Sequence, residues 1–159
     1  MLFRSRKPVT LLATEFVEAE AVFSPDMRWI AYASNESGRY EIYVRPFTAA
    51  GPSGAPSLGE GKWQVSKDGG ASPRWIADGK QIIFEGLQGS GVTSVDVKAN
   101  GAAFEAGVAQ RLFPTLWSDY GWDVTSDGKR FLAAAPQGGP VGPVPINVML
   151  NWPALLKKN

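Results

Sequence analysis

Apolar and polar positions recur along this chain in one phrase written three times. The stretches are FSPDMRWIAYAS (23–34), WIADGKQIIFEG (75–86) and VTSDGKRFLAAA (124–135). Aligned on Asp26, Asp78 and Asp127, they place Phe23, Trp75 or Val124 three residues before the aspartate. Four residues after it stand Ile30, Ile82 or Phe131, and five after it Ala31, Ile83 or Leu132. Apolar runs of strand type on both sides of a turn former predict a strand, a tight turn and a second strand. The aspartate supplies a side-chain acceptor, and Gly79 or Gly128 beside it accepts positive φ without steric cost. Met27 fills that place in the first copy. Positive φ there would cost roughly 1 kcal/mol or more, so a right-handed turn is expected at Asp26 and Met27.

A third strand is predicted where YEIYVRPF, GVTSVDVK and INVMLNW alternate apolar and polar residues. In the third copy it arrives late, after the turn-rich GGPVGPVP. GKWQVS and AQRLF supply a fourth strand in the first two copies. Helical periodicity is confined to the closing PALLKKN. Four short antiparallel strands repeating every 50 residues or so is the pattern of a β-propeller blade. A sandwich would not place the same phrase at near-equal spacing. The predicted fold is therefore all-β, a partial β-propeller of about three four-stranded antiparallel blades. The blades are expected at about residues 19–66, 72–113 and 120–152. A strand at about residues 8–13 would belong to a preceding or a closing blade.

Composition narrows the function. With 159 residues, 44% of them apolar, the chain can bury a real core. A net charge of +1 argues against an electrostatic nucleic-acid binder. The absence of Cys excludes a disulfide, a thiolate nucleophile and a zinc–thiolate site. The absence of His removes the usual general base and the commonest metal ligand. No apolar run is long enough to span a membrane. The opening MLFRSRKPVT lacks the apolar stretch of a signal peptide, so the chain as written reads as cytoplasmic. A periplasmic or otherwise extracytoplasmic parent protein stays open.

The phrases FSPDMRWIAYASNESGRYEIYVRPF and GKWQVSKDGGASPRW resemble the repeats of TolB-type, WD-like propellers. More narrowly, the chain resembles the C-terminal propeller of some bacterial serine/threonine protein kinases, as does its ending INVMLNWPALLKK. The resemblance extends over residues 6–158. It implies a non-enzymatic interaction or sensor module that binds a protein or peptide. Kinase activity does not carry over, because the chain has no glycine-rich nucleotide loop, no H-R-D and no D-F-G. Six blades of about 50 residues would take about 300, roughly twice this chain. The expectation is a C-terminal fragment of a larger bacterial protein. The alternative is a head-to-tail homodimer that completes a six-bladed ring, with residues 9–12 finishing the partner's last blade. Two further functional readings are the propeller portion of a hydrolase or peptidase, and a TolB-like periplasmic assembly protein.

Individual side chains sort by the same logic. Trp29, Trp63, Trp75, Trp122 and Trp152 fall in predicted strands and are expected to pack between blades. Trp117 lies in the loop PTLWSDYGW; with Asp119 and Tyr120 it forms the predicted partner-binding loop. Asp68, Asp78 and Asp127 each stand alone before a glycine and read as turns rather than calcium ligands. Ser24, Ser34, Ser66, Ser72 and Ser126 lack both a nucleophile elbow and a histidine. Glu36 and Glu41, in SNESGRYE, read as a solvated loop rather than a glycosidase pair. Arg39, Arg45, Lys62 and Lys67 read as surface charges. No catalytic, metal-binding or cofactor-binding residue is assigned.

Overall fold

A computed structural model describes residues 8–51, 54–87, 90–114, 121–134 and 146–150; side chains are described as far as residue 133. The described chain is all-β, in three consecutive antiparallel sheets. The first sheet orders β1 (Glu18–Phe23), β2 (Trp29–Ser34) and β3 (Glu41–Thr48); β4 (Ser57–Leu58) and β5 (Trp63–Gln64) both pair with β3. The second orders β6 (Ala71–Ile76), β7 (Gln81–Gly86) and β8 (Gly91–Asn100); β9 (Ala103–Ala106) and β10 (Gln110–Phe113) both pair with β8. The third holds β11 (Trp122–Val124), β12 (Arg130–Ala134) and β13 (Ile146–Leu150).

Successive side chains of a strand point to opposite faces of its sheet. Here that alternation decides the packing. One face of the first sheet presents Trp29, Ala31, Ala33, Ile42 and Val44. Ile82, Phe84, Val95 and Val97 of the second sheet bury against them. The opposite face of the second sheet presents Ile83 and Val92 to Trp122, Phe131 and Ala133 of the third. Polar ties run between the first strands of neighbouring sheets. Glu20 accepts hydrogen bonds from the Ser72 backbone N–H and hydroxyl at 2.6 and 2.9 Å. Arg74 Nη2 donates to the Trp122 carbonyl at 3.1 Å and its guanidinium lies 5.4 Å from that indole. Separate sheets stacked face to face, with their first strands adjacent, make a propeller-like fan, as the repeat implies.

The repeat also sets backbone conformations. One residue after the aspartate, Met27, Gly79 and Gly128 all have positive φ, at 58°, 82° and 69°. The right-handed turn expected at Met27 is thus corrected. The turn's own hydrogen bonds hold Met27 in the conformation its glycine counterparts take freely. Six residues before the aspartate, Glu20, Ser72 and Gly121 are likewise positive, at 55°, 51° and 86°. In the first two sheets this residue sits in a bulge of the first strand.

Two strands were not foreseen. β4 and β9 are short returns onto the far ends of the long β3 and β8. The β8–β9 hairpin turns through Gly101 and brings Phe104 to Trp29 and Trp63, at 5.2 and 5.8 Å between ring centres. Residues 8–13, expected as a strand of a preceding or a closing blade, pair with no strand among the described residues. Leu11 and Leu12 instead pack on Ile30, Tyr32 and Tyr43, on the outward face of the first sheet. Burial there, with Glu36 nearby, pushes the Tyr32 phenol up to about 12. The closing PALLKKN and Trp152 lie outside the described residues.

Trp29, at 2% exposure, is the largest fully buried side chain between the first two sheets. Trp29→Ala is expected to lower unfolding free energy by about 3–5 kcal/mol in denaturant titration. Met27→Gly is expected to raise it by about 0.5–1 kcal/mol, because relief of an αL penalty of about 1–2 kcal/mol exceeds the added unfolded-state entropy. Met27 is exposed, so little packing is lost.

Candidate interaction site

Two residues before the aspartate, the first and third turns carry a hydroxyl residue and the second does not. In the first turn the Ser24 hydroxyl donates to Asp26 Oδ1 at 2.6 Å and accepts from the Trp29 N–H at 3.0 Å. Asp26 Oδ1 also accepts from the Arg28 N–H at 3.1 Å. The third turn repeats this with Thr125 in place of Ser24: its hydroxyl donates to Asp127 and accepts from the Arg130 N–H at 3.2 Å. The second turn has Ile76 there and no hydroxyl. It closes instead as a 3₁₀ turn, Ala77–Gly79, with Ala77 and Asp78 both at positive φ. The Ala77 N–H donates to the Ser126 carbonyl at 2.8 Å, so the second turn is tied to the third.

The first and second turns stand side by side and bound a cleft of about 710 Å³ between their sheets. Its apolar lining is Trp29, Trp75, Ala77, Val97 and Ala99. Its charged lining is three acid–base steps of identical spacing: Asp26 with Arg28, Asp78 with Lys80, and Asp96 with Lys98. Asp26 and Arg28 pair at 2.7 Å. Asp96 accepts from Gln81 Nε2 at 2.6 Å. Burial pushes the Asp26 carboxyl up, but hydrogen bonds from Ser24 and Arg28 and the Arg28 charge outweigh it, so its pKa falls below the usual 3.8. The Thr125 hydroxyl and the Lys129 N–H lower Asp127 in the same way. Trp29 is buried beneath the cleft, so the cleft's aromatic surface is that of half-buried Trp75; flanked by charges of both signs, it can receive an extended peptide whose apolar side chain lies between charged neighbours. A smaller cleft of about 490 Å³ opens at the other end of β7, where Lys67, Arg111, Ser66 and Thr93 contribute polar groups.

Trp117, Asp119 and Tyr120, the predicted binding loop, lie outside the described residues. Trp29 and Trp122 are buried between sheets, while Trp63 and Trp75 are half-buried at the edge of the first core. Asp68, Asp78 and Asp127 stand in separate turns, and the described residues contain no group of three acidic or histidine side chains able to hold a metal. The solvated reading of Glu41 is corrected: it is 1% exposed. Its carboxylate accepts from Arg39 Nε at 2.8 Å, the Gly69 N–H at 3.0 Å and the Ser66 hydroxyl. These donors replace the lost water and clasp the start of β3 to residues 66–69. Glu36 pairs with Lys62 at 2.6 Å, and Arg45 Nη2 donates to the Gly59 carbonyl at the same distance. Sequence reasoning took the turn aspartates one at a time and missed the cleft. The available signal was the Asp-x-Lys/Arg step, which recurs at Asp26, Asp78, Asp96 and Asp127, the first three of them on the cleft.

No protein-family model matches the chain, and no curated protein does. Among solved structures the chain is similar to the crystal structure of TolB from Acinetobacter baumannii, at 16% identity and a TM-score of 0.28, over 91% of this chain and 54% of that one. The chain spans about half the length of that structure. No helix among the described residues is long and apolar enough to cross a membrane.

A carboxyl whose pKa is depressed on folding adds stability above its unfolded pKa and loses it as pH falls through the folded value. Asp26 and Asp127 both act in that direction. Unfolding free energy is therefore expected to fall as pH drops below the ordinary value of 3.8. Asp26→Asn should flatten part of that acid slope when denaturant midpoints at neutral pH and at about pH 3 are compared.

Proposed function

We propose that this chain is a binding module that receives a protein or peptide segment in the cleft between its first two sheets, and that it carries no catalytic step of its own. The observation that carries the reading is the cleft itself. Two separate repeats supply one continuous lining, Trp29 and Trp75 with the three Asp-x-Lys/Arg steps. A rigid sheet scaffold holds those groups in fixed relation, which lowers the ordering cost of capture. The occupant that fits is an extended segment with an apolar side chain between charged ones. The parent architecture favoured by the sequence resemblance is a bacterial serine/threonine kinase bearing this module as a sensory or docking domain.

The test selects peptides from a random displayed library on the purified chain and measures their affinity for variants. Lys80→Glu combined with Lys98→Glu reverses two exposed rim charges and is expected to weaken the selected peptides roughly tenfold or more. Trp117→Ala is the comparison. Peptides that ignore the rim reversal but are lost with Trp117→Ala would move the site to the loop of Trp117, Asp119 and Tyr120 and overturn the cleft.

A further inference from the structure

The repeat assigns every position after the aspartate to one face of its sheet, so it also shows which face each end sheet leaves open. Three residues before the aspartate, Trp75 and Val124 pack against the preceding sheet. The same position in the first sheet is Phe23, which no sheet among the described residues precedes and which is 45% exposed. Five residues after the aspartate, Ala31 and Ile83 face the following sheet and are fully buried. The same position in the third sheet is Leu132, which is 45% exposed. The outward faces of the two end sheets are therefore the two halves of one interface that the chain already forms twice, although Ile30, Tyr32 and Tyr43 of the first sheet are already covered within the chain.

We propose that a second copy of this chain occupies these faces, the third sheet of each copy packing head to tail on the first sheet of the other. Register places Leu132 over the face that holds Ile30 and Tyr32. It also places Arg130, the counterpart of Trp29, opposite Phe23, the counterpart of Trp75. Trp29 and Trp75 belong to one buried cluster within the chain. A guanidinium over the exposed Phe23 ring would keep that contact favourable between copies. Phe23 already stands beside Phe47, at 4.8 Å between ring centres, so Arg130 meets an aromatic pair. On the acceptor face Ile30, Tyr32 and Tyr43 lie buried beneath Leu11, Leu12, Phe47 and Leu58, so an incoming sheet has to displace Leu11 and Leu12. Residues 8–14 form no strand there, so they yield to an incoming sheet without breaking a ladder. Two such contacts close a two-fold ring and leave neither face open. This inference stands on the repeat register and does not depend on the peptide cleft.

Sedimentation equilibrium tests it, from about 1 to 100 µM, the range in which a weak specific dimer shows. The expected mass is twice the chain's 17.1 kDa. Phe23→Glu and Leu132→Glu each disable one face, and each alone is expected to weaken association roughly tenfold or more. Both positions are exposed, and circular dichroism with thermal melting checks that each variant stays folded. Mixing the two variants restores one intact interface out of two, so the mixture should associate more tightly than either alone. A single-chain mass across the whole range would overturn the proposal; the face would then be closed by residues 8–14 or by further sheets of a longer parent. A dimer indifferent to both substitutions would overturn it as well.

Discussion

The constraint from which the structure follows is that a sheet packed between two others must be apolar on both faces. A strand meets that demand only if adjacent residues are both apolar, since they point to opposite sides. The doublets after the turns, Ile30–Ala31, Ile82–Ile83 and Phe131–Leu132, are this requirement written in sequence. A sheet with one wet face would show alternation there instead. Within the chain the doublets work as pairs. Ile82 faces the first sheet while Ile83 faces the third, and both are fully buried. Burial of this kind contributes about 25 cal/mol per Å² of apolar surface. Exposed pairs such as Asp26–Arg28, with both side chains largely in water, add at most about 1 kcal/mol each.

How much of this was legible depends on whether the governing residue carries its own chemical signature. The strand–turn–strand phrase, the third strands and the fourth strands at Trp63 and Gln110 did, through apolar alternation and turn formers. The backbone at Met27 was misread because a methionine disfavours positive φ in isolation. The correct reading was available in Ser24, whose hydroxyl, like that of Thr125, bridges Asp and the strand N–H to close the turn. The bulge six residues before the aspartate was not legible at all. Glu20, Ser72 and Gly121 share the positive φ but no side-chain chemistry that would announce it. Glu41 was illegible for a related reason. Its partners Ser66 and Gly69 arrive from 25 and 28 residues away.

The candidate cleft falls between these cases. Each Asp-x-Lys/Arg step is visible in the sequence, but a step alone is an ordinary turn. What makes a site is the fan, which sets the turn after β1 beside the turn after β6 and brings the far half of β8 alongside them. The aromatic lining required the same step. Trp29 follows its aspartate and Trp75 precedes the next one, so the two meet only because consecutive sheets pack in register.

That register also explains why one junction carries the cleft and the other need not. The second junction has the same backbone relation, yet Gln81 stands where Trp29 does and Val124 where Trp75 does. Its core is filled by Phe113 and Phe131, in edge-to-face contact at 5.0 Å, with Trp122 stacked on Phe131 at 6.0 Å. The turns differ as well. The second turn, lacking the hydroxyl, binds the third directly through the Ala77 N–H and brings Gly128 hard against Ile76. A Cβ at Gly128 would come within 2.6 Å of Ile76 Cδ1, so this junction is shut at the turn. Between the first and second turns the closest approach is looser, with a Cβ at Gly79 only in ordinary contact with Pro25 at 3.4 Å. The turn without the hydroxyl is thus the one hydrogen-bonded to its neighbour across the second junction, while the first junction stays open as a cleft.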